Sequence, residues 1–160
     1  MPVVIDGNNL LHAALNTDST ELQIGRSMLC NTIGSWARRE GARVRVVFDG
    51  PAPNAALATQ IGHPDIEVMY SGGGVSADSV IINIVETDSA ARLLRVVSSD
   101  RAIQKVVRRR QATVVRAEEF WRAIKADLAR PEPKRSEPEE KEVGLSPDAT
   151  QQWLDEFGLR

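Results

Sequence analysis

Four aspartates stand where a strand is expected to end or a helix to begin. Asp6 and Asp49 each follow a run of apolar residues, Asp78 lies in the first turn of a segment with helical spacing, and Asp100 directly precedes another such segment. In an open parallel α/β sheet, ligands bind at the edge formed by the carboxyl ends of the strands. Carboxylates gathered there repel one another unless a cation lies between them. The pattern therefore predicts an acidic site for a divalent metal, which points to phosphodiester chemistry.

The available ligand types favour Mg²⁺ or Mn²⁺ over zinc. Hard divalent ions prefer oxygen ligands, and a pair of them about 4 Å apart can activate a water and stabilise a leaving oxygen. The sequence has only two histidines, His12 and His63, and one cysteine, Cys30, so a zinc site of the usual spacing is not expected. The single thiol is interpreted as a small core residue rather than a nucleophile.

Each aspartate also has a purely structural interpretation. Asp6 and Asp49 stand next to glycine and are compatible with turns, whereas Asp78 and Asp100 suit the N-termini of helices. Taken together, these interpretations explain less. Three of the five predicted strands are followed by one of these aspartates: directly for Asp6 and Asp49, and after two serines for Asp100. The joint arrangement is what favours a metal site.

Polar and basic residues close to these aspartates form a candidate substrate-binding set. An amide or a hydroxyl can orient a water or contact a phosphate, and basic residues after Asp100 can contact a nucleic-acid backbone. The residues in this set are Asn8, Asn9, Ser99, Arg101, Lys105, Arg108 and Arg109. Local roles remain open for all of them: left-handed turns for the asparagines, capping or strand-end bonds for the serines, and a solvated face for the basic residues.

Strands alternate with helices along the first 130 residues. Strands are predicted at 3–5, 43–48, 66–70, 93–97 and 113–115, and helices at 20–40, 54–61, 77–89, 101–109 and 117–128. This alternation favours βαβ units, and thus an α/β fold with a mostly parallel five-stranded sheet and helices on both faces.

The rest of the chain differs in composition. Residues 131–142 contain three prolines and no other apolar side chain, which predicts a solvated linker. Residues 143–160 carry an apolar stripe that includes Trp153 and Phe157, which predicts an amphipathic helix docked on the domain, with partner binding as the alternative. The net charge is −2, and residues 131–160 contribute −4, so residues 1–130 carry +2 and permit a polyanionic partner.

No segment predicts contact with a membrane. The N-terminal apolar run ends at Asp6, which is too early for a signal peptide, and no later run approaches the length of a membrane span. A cytoplasmic protein is therefore expected.

The motifs around the aspartates resemble the NYN domain family of PIN-like nucleases, and within it the YacP-like branch. The matching pieces are Ile-Asp-Gly-Asn-Asn-Leu (5–10), Val-Val-Phe-Asp-Gly (46–50), Ser-Ala-Asp-Ser-Val-Ile (76–81) and Val-Ser-Ser-Asp-Arg-Ala-Ile (97–103), in order across about residues 1–120. The resemblance implies a PIN-like three-layer α/β/α fold, an acidic cluster that binds Mg²⁺ or Mn²⁺, and RNA cleavage, usually endonucleolytic. Relatives often carry a further acid after the Ala-Asp pair, where this chain has Val-Ile-Ile-Asn (80–83), and this difference puts a second metal in doubt.

The predicted function is that of a metal-dependent endoribonuclease. Asp6, Asp78 and Asp100 match the acidic positions of the family and would hold the metal, and Asp49 would be a ligand or support one. RNA, in association with the ribosome, is the expected partner. The alternative is an RNA- or ribosome-binding module whose acidic site is catalytically idle. A small phosphatase or nucleotide-binding domain is disfavoured, because Gly-Gly-Gly (72–74) lacks the remainder of a phosphate-binding loop.

Overall fold

A five-stranded, all-parallel sheet forms the centre of the domain in the computed structural model, which describes residues 1–17 and 24–132. The strand order is β3-β2-β1-β4-β5. The strands are β1 (Pro2–Asp6), β2 (Arg43–Phe48), β3 (Ile66–Tyr70), β4 (Arg95–Val97) and β5 (Thr113–Val115). From β1 the chain moves outward to β3 and then returns to the other side of β1. The return creates a switch point between β1 and β4, the kind of place where α/β sheets bind ligands.

Helices cover both faces of the sheet within the described residues. They are α1 (Gly7–Thr17), α2 (Arg26–Glu40), α3 (Ala55–Ile61), α4 (Ala77–Thr87), α5 (Arg101–Arg109) and α6 (Ala117–Ala129). Side chains of α1, α2 and α6 pack against one face, and those of α4 and α5 pack against the other. The predicted α/β/α sandwich is confirmed, and the sheet is parallel throughout.

The central strand shows why the sheet is buried on both sides. Val3 and Ile5 point into the core shared with α1, α2 and α6, and Val4 between them points into the core shared with α4 and α5. Successive side chains of a strand alternate between faces, so a continuous apolar run is what a strand covered on both sides requires. Cys30 lies fully buried in the first core, and burial raises the pKa of its thiol to about 12. The prediction of a core cysteine agrees with this position.

One helix was not predicted, and the bounds of several elements differ from those predicted. Helix α4 ends at Thr87 rather than at residue 89, and β1, α3 and α6 differ by one residue at one or both ends. Helix α1 was not predicted, because Gly-Asn-Asn after Asp6 has the composition of a turn. Helix α2 begins at Arg26, with Gly25 as its N-cap, rather than at residue 20. Strand β4 begins at Arg95 rather than at residue 93, because residues 91–93 form a short 3₁₀ helix.

The predicted C-terminal elements fall outside the described residues. This applies to the linker beyond Glu132 and to the amphipathic helix at 143–160. Met1–Arg130 forms one compact unit and contains all four aspartates. Across residues 1–17 and 24–132, no helix has both the length and the apolar character needed to cross a membrane.

Candidate active site

The four aspartates line one pocket at the carboxyl edge of the sheet. Asp6 ends β1, Asp49 follows β2, and Asp78 and Asp100 lie at the N-termini of α4 and α5. The pocket has a volume of about 250 Å³. Its lining is Asp6, Asn8, Asn9, His12, Asp49, Ser76, Ala77, Asp78 and Asp100. The fold therefore brings together four carboxylates that are far apart in the chain.

Asp6 is the most deeply buried of the four, with 5% of its surface exposed. Its Oδ1 accepts a hydrogen bond from the backbone N–H of Asn9 at 3.4 Å, and its Oδ2 accepts one from the Ser98 hydroxyl at 3.2 Å. Burial raises the pKa of Asp6 to about 6; the Asn9 bond opposes this rise and the charge of Asp78 adds to it. The ionised carboxylate is thus held at a cost in free energy that a nearby cation would offset.

Asp78 and Asp100 combine helix-terminal positions with a place in the pocket. Burial raises the pKa of Asp78, and the charges of Asp100 and Asp49 raise it further. Asp100 caps α5, because its Oδ1 accepts hydrogen bonds from the N–H groups of Ala102 at 2.9 Å and Ile103 at 3.1 Å. Capping occupies one carboxylate oxygen, so it is compatible with a second role for the other.

Asp49 holds the start of helix α4. Its Oδ1 accepts a hydrogen bond from the N–H of Ala77 at 2.9 Å, and Ser71 Oγ lies 3.4 Å from the same oxygen. Because Ala77 immediately precedes Asp78, this bond places the Asp78 carboxylate in the pocket. Of the two roles left open for Asp49, the geometry favours support of another acid.

The glycine loop after β3 lies outside the pocket lining. Gly72 and Gly74 have φ angles of 88° and 74°, which side chains rarely adopt. The N–H of Gly72 donates to the carbonyl of Gly50 at 2.9 Å, so the loop joins the ends of β3 and β2. Its observed role is to shape the turn that leads into α4.

The donor atoms of the pocket suit a hard divalent cation. Carboxylate and amide oxygens dominate the lining, and these are the ligands that Mg²⁺ and Mn²⁺ prefer. Burial is the largest cause of the raised pKa values of Asp6 and Asp78, and the charges of neighbouring aspartates raise both values further. Among residues 1–17 and 24–132, however, no three acidic, histidine or cysteine side chains are arranged to hold one metal ion together. The pocket therefore fits an ion that takes few carboxylates and completes its shell with waters and phosphate oxygens.

The amide and hydroxyl side chains predicted to bind substrate differ in whether they line the pocket. Asn8 and Asn9 line the pocket, whereas Ser99 does not. Within the described part of the chain, Asn8 Oδ1 is buried without a hydrogen-bond partner. Asn9 Oδ1 accepts a bond from the Ser99 N–H at 2.9 Å, and the Ser99 hydroxyl donates to Glu118 at 2.9 Å. Both Ser99 groups are thus used within the protein.

The predicted basic residues lie outside the pocket lining. Arg101 stands at the end of α5 nearest Asp100, and Arg108 and Arg109 form the last turn. A helix rises about 1.5 Å per residue, so this turn is about 10 Å further along the axis. Arg109 Nη2 also lies 2.7 Å from Glu86 Oε1 in an exposed ion pair. Lys105 is exposed and lies between these two ends.

Two polar side chains of the lining were not predicted as site residues, namely His12 and Ser76. His12 follows Asn8 by four residues and Asn9 by three, so the three side chains share one face of α1. The signal was present in the spacing but required α1 to be recognised as a helix. Ser76 was predicted only as the N-cap of α4, a role that the structure confirms: its hydroxyl accepts a bond from the N–H of Ser79 at 3.2 Å.

An open parallel sheet with acids gathered at its switch point defines a nuclease-like α/β domain. The family model for the YacP-like NYN domain matches residues 3–156, and the chain therefore belongs to that family. The resemblance seen in the motifs is confirmed by this match.

Solved structures of Rae1 (YacP) from Bacillus subtilis are similar in fold. One has 21% sequence identity and a TM-score of 0.62, and the match covers 99% of this chain and 90% of that chain. A W164L mutant of the same protein has 22% identity and a TM-score of 0.61, over 79% of this chain and 75% of that chain. No curated protein matches the chain.

Proposed function

We propose that the protein is a metal-dependent ribonuclease that cleaves RNA internally by hydrolysis of phosphodiester bonds. The observation that carries the proposal is that Asp6, Asp78 and Asp100 line one pocket, where their negative charges repel one another. Membership of the YacP-like NYN family supports it, because the fold of that family is nuclease-like. The proposed cofactor is Mg²⁺ or Mn²⁺.

Each side chain has a distinct part in this proposal. Asp6, Asp78 and Asp100 hold the cation in part directly and in part through waters of its shell, and Asp49 keeps Asp78 in place through the N–H of Ala77. A divalent cation bound there supplies a Lewis acid and offsets the negative charge of acids and phosphate. Asn9 binds and orients the substrate.

RNA is the proposed substrate, and the ribosome is a proposed site of action in the cytoplasm. The support for a polyanionic partner is the charge of +2 on residues 1–130, which includes the acids of the pocket. Arg101 and Lys105 extend from the acidic pocket along α5 and are placed to follow a backbone that leaves it.

The test is cleavage of a mixed RNA pool with Mn²⁺, Mg²⁺ or chelator. Wild type is compared with Asp6→Asn and Asp100→Asn, and Glu119→Gln serves as a control, because Glu119 is exposed and outside the pocket. We expect metal-dependent products that disappear in both aspartate variants and persist in the control. Circular dichroism checks that each variant is folded. Products that survive in either folded aspartate variant would refute the assignment of the acids.

A second candidate is an RNA- or ribosome-binding module with an idle acidic site. It is favoured by the absence of an acid at residues 80–83, shortly after Asp78, and by the lack of a ready three-ligand set among the described residues. This candidate requires RNA retention that is the same with metal and with chelator, and no products. Repeating the cleavage assay with ribosomes present separates an idle module from an enzyme that needs its substrate presented.

A further inference from the structure

A relay of hydrogen bonds links the pocket to the start of helix α6. The Ser99 hydroxyl donates to Oε2 of Glu118 at 2.9 Å and accepts the N–H of Ala117 at 3.1 Å. The Ser99 N–H donates to Oδ1 of Asn9 at 2.9 Å. The N–H of Asn9 in turn donates to Oδ1 of Asp6 at 3.4 Å. Glu118 is thereby connected to the acidic pocket without lining it.

The relay determines which end of the Asn9 amide faces a ligand. The Ser99 N–H can only donate, so it must meet the carbonyl end of the amide, and a flipped amide would set two donors against each other. With the oxygen committed to Ser99, the NH₂ group is the end left to act in the pocket that Asn9 lines.

The Ser99 hydroxyl is committed in the same way. A hydroxyl has one hydrogen to donate, and here that hydrogen is directed to Glu118. The acceptor is ionised at neutral pH, because the Glu118 backbone N–H and the Ser99 hydroxyl both lower the pKa of Glu118. Hydrogen bonds to a charged acceptor are stronger than neutral ones, so the Glu118 carboxylate is an effective anchor for the Ser99 hydroxyl.

We propose that Glu118 and Ser99 are positioning residues that hold the Asn9 amide so that its NH₂ group donates to a phosphate oxygen of an RNA backbone in the acidic pocket. This inference rests on the proposed function and deepens it. In place of the direct contact predicted for Ser99, it gives Ser99 an indirect role, and it assigns a role to Glu118, which the sequence did not single out.

The chemistry of the pocket explains why a neutral donor is useful there. Four of the nine lining residues are aspartates, which repel a phosphate and cannot donate to it when ionised. Asn9 supplies N–H donors without adding a cation that would compete with a metal ion for the acids. Phosphate contacts of this type position a nucleic acid and carry no sequence information.

Hydrogen exchange of the Ser99 N–H tests the relay without RNA. In Glu118→Ala we expect exchange to be at least about tenfold faster, since the Ser99 hydroxyl loses its acceptor and the loop loosens. Glu118→Gln keeps an acceptor oxygen and should stay close to wild type. Glu119→Ala is the matched control, because it removes the same charge from the same helix turn. Unchanged exchange in Glu118→Ala would overturn the relay.

RNA affinity in chelator tests the contact made by Asn9. Asn9→Asp retains an oxygen for the Ser99 N–H but replaces the NH₂ group with a second oxygen, so we expect the Kd for RNA to rise at least about tenfold. Asn31→Asp controls for added charge, because Asn31 is an exposed residue of α2 outside the pocket. Glu118→Ala should weaken binding by a smaller factor that Glu118→Gln restores.

Two results of the affinity measurement would count against the proposal in different ways. Equal affinity of Asn9→Asp and Asn31→Asp would overturn the phosphate contact while leaving the proposed function standing. Failure of the wild type to retain any RNA in chelator would overturn the Asn9 contact, whereas the proposed function is decided separately by the cleavage assay with metal. In either case, the exchange rate of the Ser99 N–H in the Glu118 variants tests whether Glu118 holds Ser99 in place.

Discussion

The hydroxyl of Ser98 donates a hydrogen bond to the buried Oδ2 of Asp6 at 3.2 Å, which joins the end of β4 to the end of β1. The same oxygen of Ser98 accepts the N–H of Asp100 at 3.1 Å. Ser98 is 1% exposed, so neither bond competes with water. Two of the site acids are therefore positioned across the switch point by one buried residue, which directly follows β4 and is itself held by a bond from its N–H to the carbonyl of Val115 in β5.

Burial of Asp6 has a consequence for stability that depends on pH. Its pKa is raised from 3.8 to about 6 in the folded protein, so the folded state favours the protonated acid. The stability associated with that proton is complete below about pH 4 and is lost as the pH rises through about 6. In chelator, Asp6→Asn should therefore raise the free energy of unfolding at pH 7 to 8, by at most about 3 kcal/mol.

Urea denaturation from pH 4 to pH 8 checks this prediction. The gain of Asp6→Asn over wild type should be small near pH 4, grow up to about pH 6 and then level off. Glu119→Gln, at an exposed position, should show a flat and much smaller difference. A gain for Asp6→Asn that is equal at both ends of the range would show that burial does not raise the pKa of Asp6.

Addition of a divalent cation should stabilise the protein through the same acids. A ligand that binds only the folded state at ten times its Kd contributes about 1.4 kcal/mol. We expect Mn²⁺ or Mg²⁺ to raise the Tm of wild type, and Asp6→Asn and Asp78→Asn to reduce that rise. Thermal denaturation with metal and with chelator measures both effects. A rise in Tm that is the same in the aspartate variants as in wild type would show that the cation binds away from Asp6 and Asp78.

The sheet was predictable because its strands are short apolar runs separated by helical segments. The runs that end in Phe48 and Tyr70 were correctly bounded, because each is rich in β-branched or aromatic residues and stops before a turn that contains glycine. Helix α1 was not predictable in the same way. Its first turn is Gly-Asn-Asn, and it is stabilised by a bond from the Asn9 N–H to Asp6, which depends on how β1 ends.

The acids of the site were predictable from their positions at strand ends, but their partners were not. Asp49 binds the N–H of Ala77, and Ser99 binds Glu118, and each pair joins elements that are distant in the chain. No local pattern marks such pairs, because they arise only when the sheet order brings β2 near α4 and β4 near α6. The orientation of the Asn9 amide follows from one of these contacts.

The basic residues of α5 should differ in their effect on RNA binding according to their distance from the pocket. Arg101 adjoins Asp100, whereas Arg108 lies in the last turn of the helix. Arg101→Ala should therefore weaken the binding of short and long RNA alike, and Arg108→Ala should weaken only RNA long enough to reach the far end of α5. Binding measured over a series of salt concentrations and two RNA lengths distinguishes them, since each lost phosphate contact reduces the salt slope by about 1. An equal loss of affinity for short RNA in Arg101→Ala and Arg108→Ala would contradict this arrangement.

Gly7 lies where the chain turns from Asp6 into α1, and an added methyl group should disturb the site. A Cβ at Gly7 would come within 2.6 Å of the Phe48 ring, which is fully buried and cannot move aside. Alanine is favoured over glycine in a helix by about 1 kcal/mol, but overpacking costs about 1–3 kcal/mol and should prevail. Gly7→Ala should thus lower the free energy of unfolding and weaken the stabilisation by Mn²⁺.

Gly73→Ala, where a Cβ would meet nothing within 4 Å, should be neutral or slightly stabilising in the same denaturation series. A stabilised Gly7→Ala would mean that the Phe48 ring yields and that the close approach at Gly7 is not what positions Asp6.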